Sequence, residues 1–597
     1  MAVERKELFV TELDKVFEPK EIISENGSKN KWRSVFYENL TFSGNMLTAL
    51  GDACPDDITY DPALQGWYKI FLIIPGFSEQ SISIKLSSDE AFLYQTNLRR
   101  SSYGMEEVMW RCADMTGEKI TLSRSFMNRD ANTALAAIRF VPMTDEEIAK
   151  WKYEDTRTDT KNFYATDDMH NRMVGRNMEN IDDWYSVVTQ LRHSDAEWIS
   201  VEEIRGLMSG KIEEDPDEHQ YFRMVDRLGQ KQISKIDFDE VLKRIADKAR
   251  EIGLKSSVSF RMGAWGMEFP YDQTYFDCPF LLDHPEWWCK ERNGEAVNAM
   301  SYAYPEVRKF VIDILVNAAR SGCDAVTLIS HRGIPYVLFE QPVCDKFFEL
   351  YGEYPNELPM DDPRVNKVHC DIMTGFFREL RAALDENFPD RHVDIHLRSL
   401  FSLADSKYIG LDIEELAREG LVNAVISYPG RFYEIITDSM RKDTDPTRID
   451  LDKFTAAIRT NEATMFHRND FDFMPPYENS RGELCGPESQ AARIAEWNDL
   501  CDRYGIKVYL DIMPRRMPNA EFKQRVMDLY ALGARNISLW DTFCRYPWIP
   551  MWNLVRQFGH KDELANIDDN GGEIYRFHRS IKYANGNINR FKPSWGG

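Results

Sequence analysis

Apolar and polar positions change rhythm once along the chain. From about Asn39 to Pro142 short runs alternate or are rich in β-formers: "GWYKIFLII", "SISIKLS", "AFLYQT", "EVMWRC", "KITLSR" and "LAAIRFVP". Turn-like stretches part them, which is the grammar of an antiparallel sandwich. A polar connector, "MTDEEIAKWKYEDTRTDTKN", follows and loses its apolar periodicity near Thr160. Beyond it, long amphipathic segments repeatedly hand over to short apolar strands. "IDDWYSVVTQLRHS" leads into "EWISVE", "FDEVLKRIADKAREIGL" into "SSVSFRMG", and "PEVRKFVIDILVNAARSGC" into "DAVTLIS". "NKVHCDIMTGFFRELRAALDENF" leads into "VDIHLR", "DIEELAREGL" into "NAVISY", "ESQAARIAEWNDLCDRYGI" into "KVYLDIMP", and "EFKQRVMDLYALGA" into "NISLWDT". With "NFYATDD" as the opening strand, eight strands predict a (β/α)₈ barrel; an open doubly wound sheet is the runner-up. The expected fold class is α/β, a TIM barrel preceded by an antiparallel β-sandwich. The expected division is an accessory, carbohydrate-binding-like sandwich over residues 1–155 and a catalytic barrel with a C-terminal extension over 156–597.

A barrel puts chemistry at the C-terminal ends of its strands, and strand parity sorts which residues face inward. Trp198, Ser200 and Glu202 face inward because Ile199 and Val201 face the helices. By the same rule Ser259 and Arg261, Asp394, His396 and Arg398, Tyr509 and Asp511, and Ser538 and Trp540 line the bore. In "GCDAVTLISHRGIP" Ile329 and His331 point inward and Arg332 lies at the rim. Asp541, Glu340 and Glu203 fall in nearby loops. So many polar groups inside a barrel call for a ligand or for mutual pairing. The structural alternative is a buried salt-bridge layer, with Arg261 and Arg398 neutralising the acids.

Composition narrows the partners. The chain has 597 residues, 29% charged and 43% hydrophobic, ordinary for a globular protein large enough for two domains. Its net charge of −24 argues against nucleic acid or an anionic membrane as the main partner. Aromatics are plentiful (14 Trp, 26 Tyr, 34 Phe), which suits sugar stacking but equally a well-filled core. Ten cysteines show no CxxC spacing or disulfide framework. No apolar run fits a signal peptide or a membrane span, so the expected setting is the cytoplasm. Assembly with further copies of the chain stays open.

Two blocks carry a family resemblance. "HPEWW", "NGEAVNAMSYAYPEVRKFVIDIL" and then "FEQPVCDKFFELYGEYPNELPMDDPR" with "MTGFFRELRAALDE" resemble stretches of glycosyl-hydrolase-like family-10-type barrels, in particular large bacterial members with an N-terminal β-domain. The resemblance implies a glycosidase-like fold and a carbohydrate substrate. The better-known branch reads "DG...D..RyP" at one strand. Its first Asp and its Arg match Asp324 and Arg332, but Ile329 replaces its second acid.

The leading expectation is a glycoside hydrolase, which needs one protonated carboxyl and one carboxylate. Asp511 is expected as the ionised partner and Glu340 as the acid, with Glu202 and Asp541 in reserve. His331, Arg332, Asp394, His396, Arg398 and Arg261 would hold hydroxyls or a substrate carboxylate. Trp540, Tyr428, Trp265 and Trp287 are the stacking candidates. No cofactor or metal is expected on this reading. One alternative is a metal-dependent lyase, epimerase or hydrolase, with Asp394 and His396 ligating at i and i+2 and Glu202, His331 or Asp511 completing the shell. Another is a barrel that binds carbohydrate without cleaving it.

Overall fold

The computed structural model describes residues 5–50, 53–76, 81–96, 104–124, 132–167, 169, 181–202, 237–263, 279–330, 335–358, 362–428, 477–478, 484–485, 487–512, 519–539, 548–571, 575–579 and 582–583. Eight parallel strands close into a barrel. They are β1 (Phe163–Asp167), β2 (Ala196–Glu202), β3 (Lys255–Arg261), β4 (Ala325–Ile329), β5 (Asp394–Leu400), β6 (Ala424–Tyr428), β7 (Lys507–Asp511) and β8 (Ile537–Leu539). Each pairs with the next, and β8 closes on β1. All eight lie where the strand-and-helix rhythm predicts them, and the open-sheet alternative falls.

The alternation works because outward residues are apolar and meet apolar helix stripes. Val258 and Phe260 of β3 share a buried core with Val241, Leu242 and Ile245 of the helix Phe238–Glu251. Asp237 caps that helix by accepting from the backbone N–H groups of Asp239 and Glu240. Each such side chain contributes roughly 1.5–3 kcal/mol on burial. The segment "IDDWYSVVT" departs from expectation, forming a 3₁₀ turn, Ile181–Tyr185, and only a four-residue helix, Ser186–Thr189. Its β-branched Val187, Val188 and Thr189 weaken helix propagation.

The N-terminal region is antiparallel, as its short runs indicate, except where Ile23–Ser24 pairs parallel with Trp32–Arg33, and its described residues form three sheets rather than two. One buried core joins them, with Ile70 and Phe140 of one sheet, Ile84 and Leu122 of another and Leu47 of the third. The C-terminal extension, grouped with the barrel on sequence, stays there only in part: Met551, Leu554 and Phe558 join the barrel core, but the strands after them leave it. Tyr575–Arg579 pairs antiparallel with Gly104–Asp114, and Lys582–Tyr583 with Trp32–Glu38. That grouping is corrected: segments from the first and last parts of the chain build the β region together, since a sheet edge left open by one segment is met by another. No helix among the described residues is long and apolar enough to cross a membrane.

Candidate active site

Register, unlike parity, fixes how high each inward side chain sits. The lower bore is an aromatic plug of Tyr164, Trp198 and Tyr509 with Ala325, Ala424 and Ile426. The Tyr164 and Trp198 rings stack at 6.0 Å, and Trp198 meets His396 edge-on at 4.5 Å. The Tyr164 hydroxyl lies 3.0 Å from both Thr327 Oγ1 and His396 Nδ1. Burial lowers the pKa of His396, and Asp394 only partly offsets it. Asp394 is the first residue of β5, in register with Ala325, the first of β4. It therefore belongs to the N-terminal face, beside His392 and His396 at 3.4 and 3.7 Å. The substrate-binding role expected of Asp394 and His396, and their metal alternative, are corrected on this ground: Asp394 sits at the foot of the bore and His396 within the plug, both away from the mouth.

Two ion pairs occupy the upper bore. Arg398 of β5 reaches across to Asp511, the last residue of β7, with both side chains essentially inaccessible. Ser538 of β8 completes the unit, accepting from Arg398 Nη2 at 3.1 Å and donating to Asp511 Oδ2 at 3.2 Å. Glu202, ending β2, is held by Arg261, ending β3, through Nε at 2.5 Å and Nη2 at 3.0 Å. This second pair is more open, the Arg261 side chain being 17% exposed against 1% for Arg398. Both carboxylates therefore face a permanent positive charge, the layer the structural alternative describes.

Ile329 explains the geometry. It is buried and inward, in register with Arg261 on one side and Arg398 on the other. With no carboxylate between them, each guanidinium turns away, one to Glu202 and the other to Asp511. Asp324, which matched the family pattern, precedes β4 and accepts from the Ser256 N–H at 2.9 Å, tying strand starts together.

Glu340 is not at the mouth. Its carboxylate accepts from the backbone N–H groups of Leu338 at 3.0 Å and Lys290 at 2.9 Å, pinning the hairpin Trp288–Lys290/Ala296–Met300. Burial raises its pKa, and those backbone donors work against the rise. Its expected role as the acid gives way to a clamp, because both oxygens are committed outside the bore. Trp287 stacks on His284 at 4.0 Å beside the helix Pro305–Ala319, as packing rather than platform. Tyr428 ends β6, buried and inward. His331, Arg332, Trp265, Trp540, Asp541 and Glu203 lie outside the described residues. Sequence reasoning passed over Asp167, buried at the end of β1 in register with Val201, and Tyr164, the hub of the plug. The parity rule applied to "NFYATDD" would have exposed Tyr164.

No family model matches the chain, and no curated protein matches it, so the family-10-type resemblance goes no further than the fold. The chain is similar to solved glycosidases. One is a β-galactosidase from the psychrophilic Marinomonas ef1, with 11% identity over 63% of this chain and TM-score 0.35. The match spans about half of that enzyme, 53% of its chain. Another is the catalytic domain of a Paenibacillus polymyxa β-amylase, with 11% identity, 67% of this chain, 95% of that one and TM-score 0.38. A third is a ruminal GH26 endo-β-1,4-mannanase, with 8% identity, 94% of this chain, 96% of that one and TM-score 0.29.

Proposed function

We propose that the barrel is a glycoside hydrolase that cleaves a carbohydrate with Asp511 as its ionised carboxylate and Glu202 as the second acid. The observation that carries this is the Arg398–Asp511–Ser538 unit at the C-terminal ends of the strands. It keeps one carboxylate charged and oriented, as a nucleophile or a base must be. Arg261 is the more exposed of the two arginines. When substrate draws it off Glu202, that carboxyl loses its stabilising charge and can take up the proton it gives to the leaving oxygen. Arg398, shut in, has no such freedom.

A second reading, a barrel that binds sugar without cleaving it, is favoured by the same pairs, since neither carboxylate is free in this arrangement. Asp511→Asn separates the two. On an aryl-glycoside panel the expected loss in kcat is about 10²–10⁴. The substitution also strands Arg398, so melting temperature should fall whichever reading holds. The double variant Arg398→Leu with Asp511→Asn removes the stranded charge and should recover stability without activity. Unchanged turnover in Asp511→Asn would end the catalytic assignment; sugar binding with no turnover even in the unaltered protein would favour the second reading.

A further inference from the structure

A cleft of about 600 Å³ opens on the opposite side of the barrel from the mouth. Asp195 and Leu254, which immediately precede β2 and β3, line it from the barrel's N-terminal face. The connector helix Asp145–Thr156 lines it through Lys150 and Trp151, and the C-terminal segment through Arg556 and His560. Its volume is in the range of small-molecule sites, and seams between structural units are where such sites gather.

The charge of the lining is unlike that of the chain. Against a net charge of −24, the cleft presents five lysines and arginines and four carboxylates. All four of those carboxylates are spoken for: Glu147 by Lys69, Asp155 by His193, and Glu154 and Asp195 by His560. Lys161 is different. Half-buried, it donates only to the Ser194 carbonyl among the described residues, with Asp195 and Asp155 acting on it from further off. Burial lowers its pKa, so an anion beside it would stabilise the charged amine.

A narrower notch of about 60 Å³ adjoins the cleft and shares Trp151, Arg192, His193 and Arg556 with it. Four side-chain atoms around it have no hydrogen-bond partner among the described residues: Gln95 Oε1, Trp110 Nε1, Trp151 Nε1 and Thr189 Oγ1. Gln95, Trp110 and Thr189 are 3%, 6% and 8% exposed. Buried polar groups are ordinarily paired, so four in one notch mark a place suited to hydroxyl groups. The indoles of Trp110, Trp151 and Trp552 line it, with Arg111 over the Trp110 ring and Arg556 and His193 against that of Trp151.

We infer that this seam binds a small anionic polyol, a sugar acid or a sugar phosphate. Its oxyanion would lie at Lys161, and its hydroxylated frame against the tryptophan-walled notch. The inference is independent of the chemistry proposed for the mouth.

Calorimetric titration of the full chain at matched ionic strength tests it, with gluconate, glucose 6-phosphate, inorganic phosphate and glucose as probes. Saturable binding of one equivalent of gluconate or glucose 6-phosphate is expected, and whichever is tighter tells carboxylate from phosphate. Lys161→Met should weaken it at least about tenfold, the share of one charged hydrogen bond. Asp511→Asn should leave it unchanged. Lys150→Gln, an exposed change on the connector helix, should weaken it several-fold and serves if Lys161→Met does not fold. No saturable heat from any probe, glucose binding as tightly as its phosphate, or full affinity in both lysine variants would overturn the site. Loss of binding in Asp511→Asn would move the ligand to the mouth and overturn it too.

Discussion

Ile329 sits between two guanidiniums that both turn away from it. An acid there would be drawn into both. In Ile329→Asp the carboxylate would lie between Arg261 and Arg398, and its folded pKa should fall below its unfolded value. Stability from that pairing is present above the unfolded pKa and is lost as pH falls through the folded one. Ile329→Asp should therefore be more stable than Ile329→Asn at pH 7, and the gap should close on acidification below about pH 4. Melting curves of the two variants across pH check this; an Asn variant as stable as Asp at neutral pH would mean the arginines do not reach position 329. The inward direction of Arg398 and Asp511 was legible because their neighbours Leu397 and Leu510 are apolar and strands alternate. Height in the bore was not. Asp394 and Arg398 lie on one inward stripe, yet only the stagger of neighbouring strands puts the first at the foot and the second in the upper layer. Glu340 was misread for a related reason: its partners are backbone N–H groups, Leu338 of its own loop and Lys290 of a hairpin that no local pattern announces.

At the scale of elements, one histidine bridges the connector helix directly to the foot of a barrel strand. His560 lies between Asp195, just before β2, at 2.7 Å and Glu154 of the helix at 3.1 Å. Burial pulls its pKa down, but the two carboxylates outweigh that and raise it to about 9. The folded value lies above the unfolded one, so the contribution is complete below about pH 6.5 and is lost as pH rises through about 9. Its size is on the order of 1–3 kcal/mol, since Glu154 remains partly solvated. His560→Gln should therefore lower the melting temperature most near pH 6, with little difference from the unaltered protein near pH 10. A gap that stays constant across that range would show that His560 acts by packing alone. The connector itself was legible as a polar break, and its start is marked by a capping box between Thr144 and Glu147. Its docking onto the barrel was not, because the partner lies some four hundred residues on.

For the molecule as a whole, segments from the first and last parts of the chain build the β region together, and this bears on whether that region can be removed. Phe577 sits against Gly104, His578 pairs with Glu107 at 2.6 Å, and Asn553 donates to the Met109 carbonyl at 3.0 Å. Ile549, on a helix beyond β8, belongs to the β region's core rather than the barrel's. A protein beginning at Thr160 would bare all of these, and should aggregate before its activity could be assayed. Integrity is better probed at one close approach. A Cβ placed on Gly104 would stand 2.1 Å from the tip of the Phe577 ring, which must leave its present seat to admit it. Gly104→Ala should cost about 1–3 kcal/mol and lower the melting temperature by a few degrees. Phe577→Ala should cost a similar amount by losing the ring's contacts. Combined, the two should cost clearly less than their sum, because the clash disappears with the ring. Additive losses would mean the C-terminal strand does not press on Gly104, and the pairing that closes the sheet would have to be sought elsewhere along Gly104–Asp114.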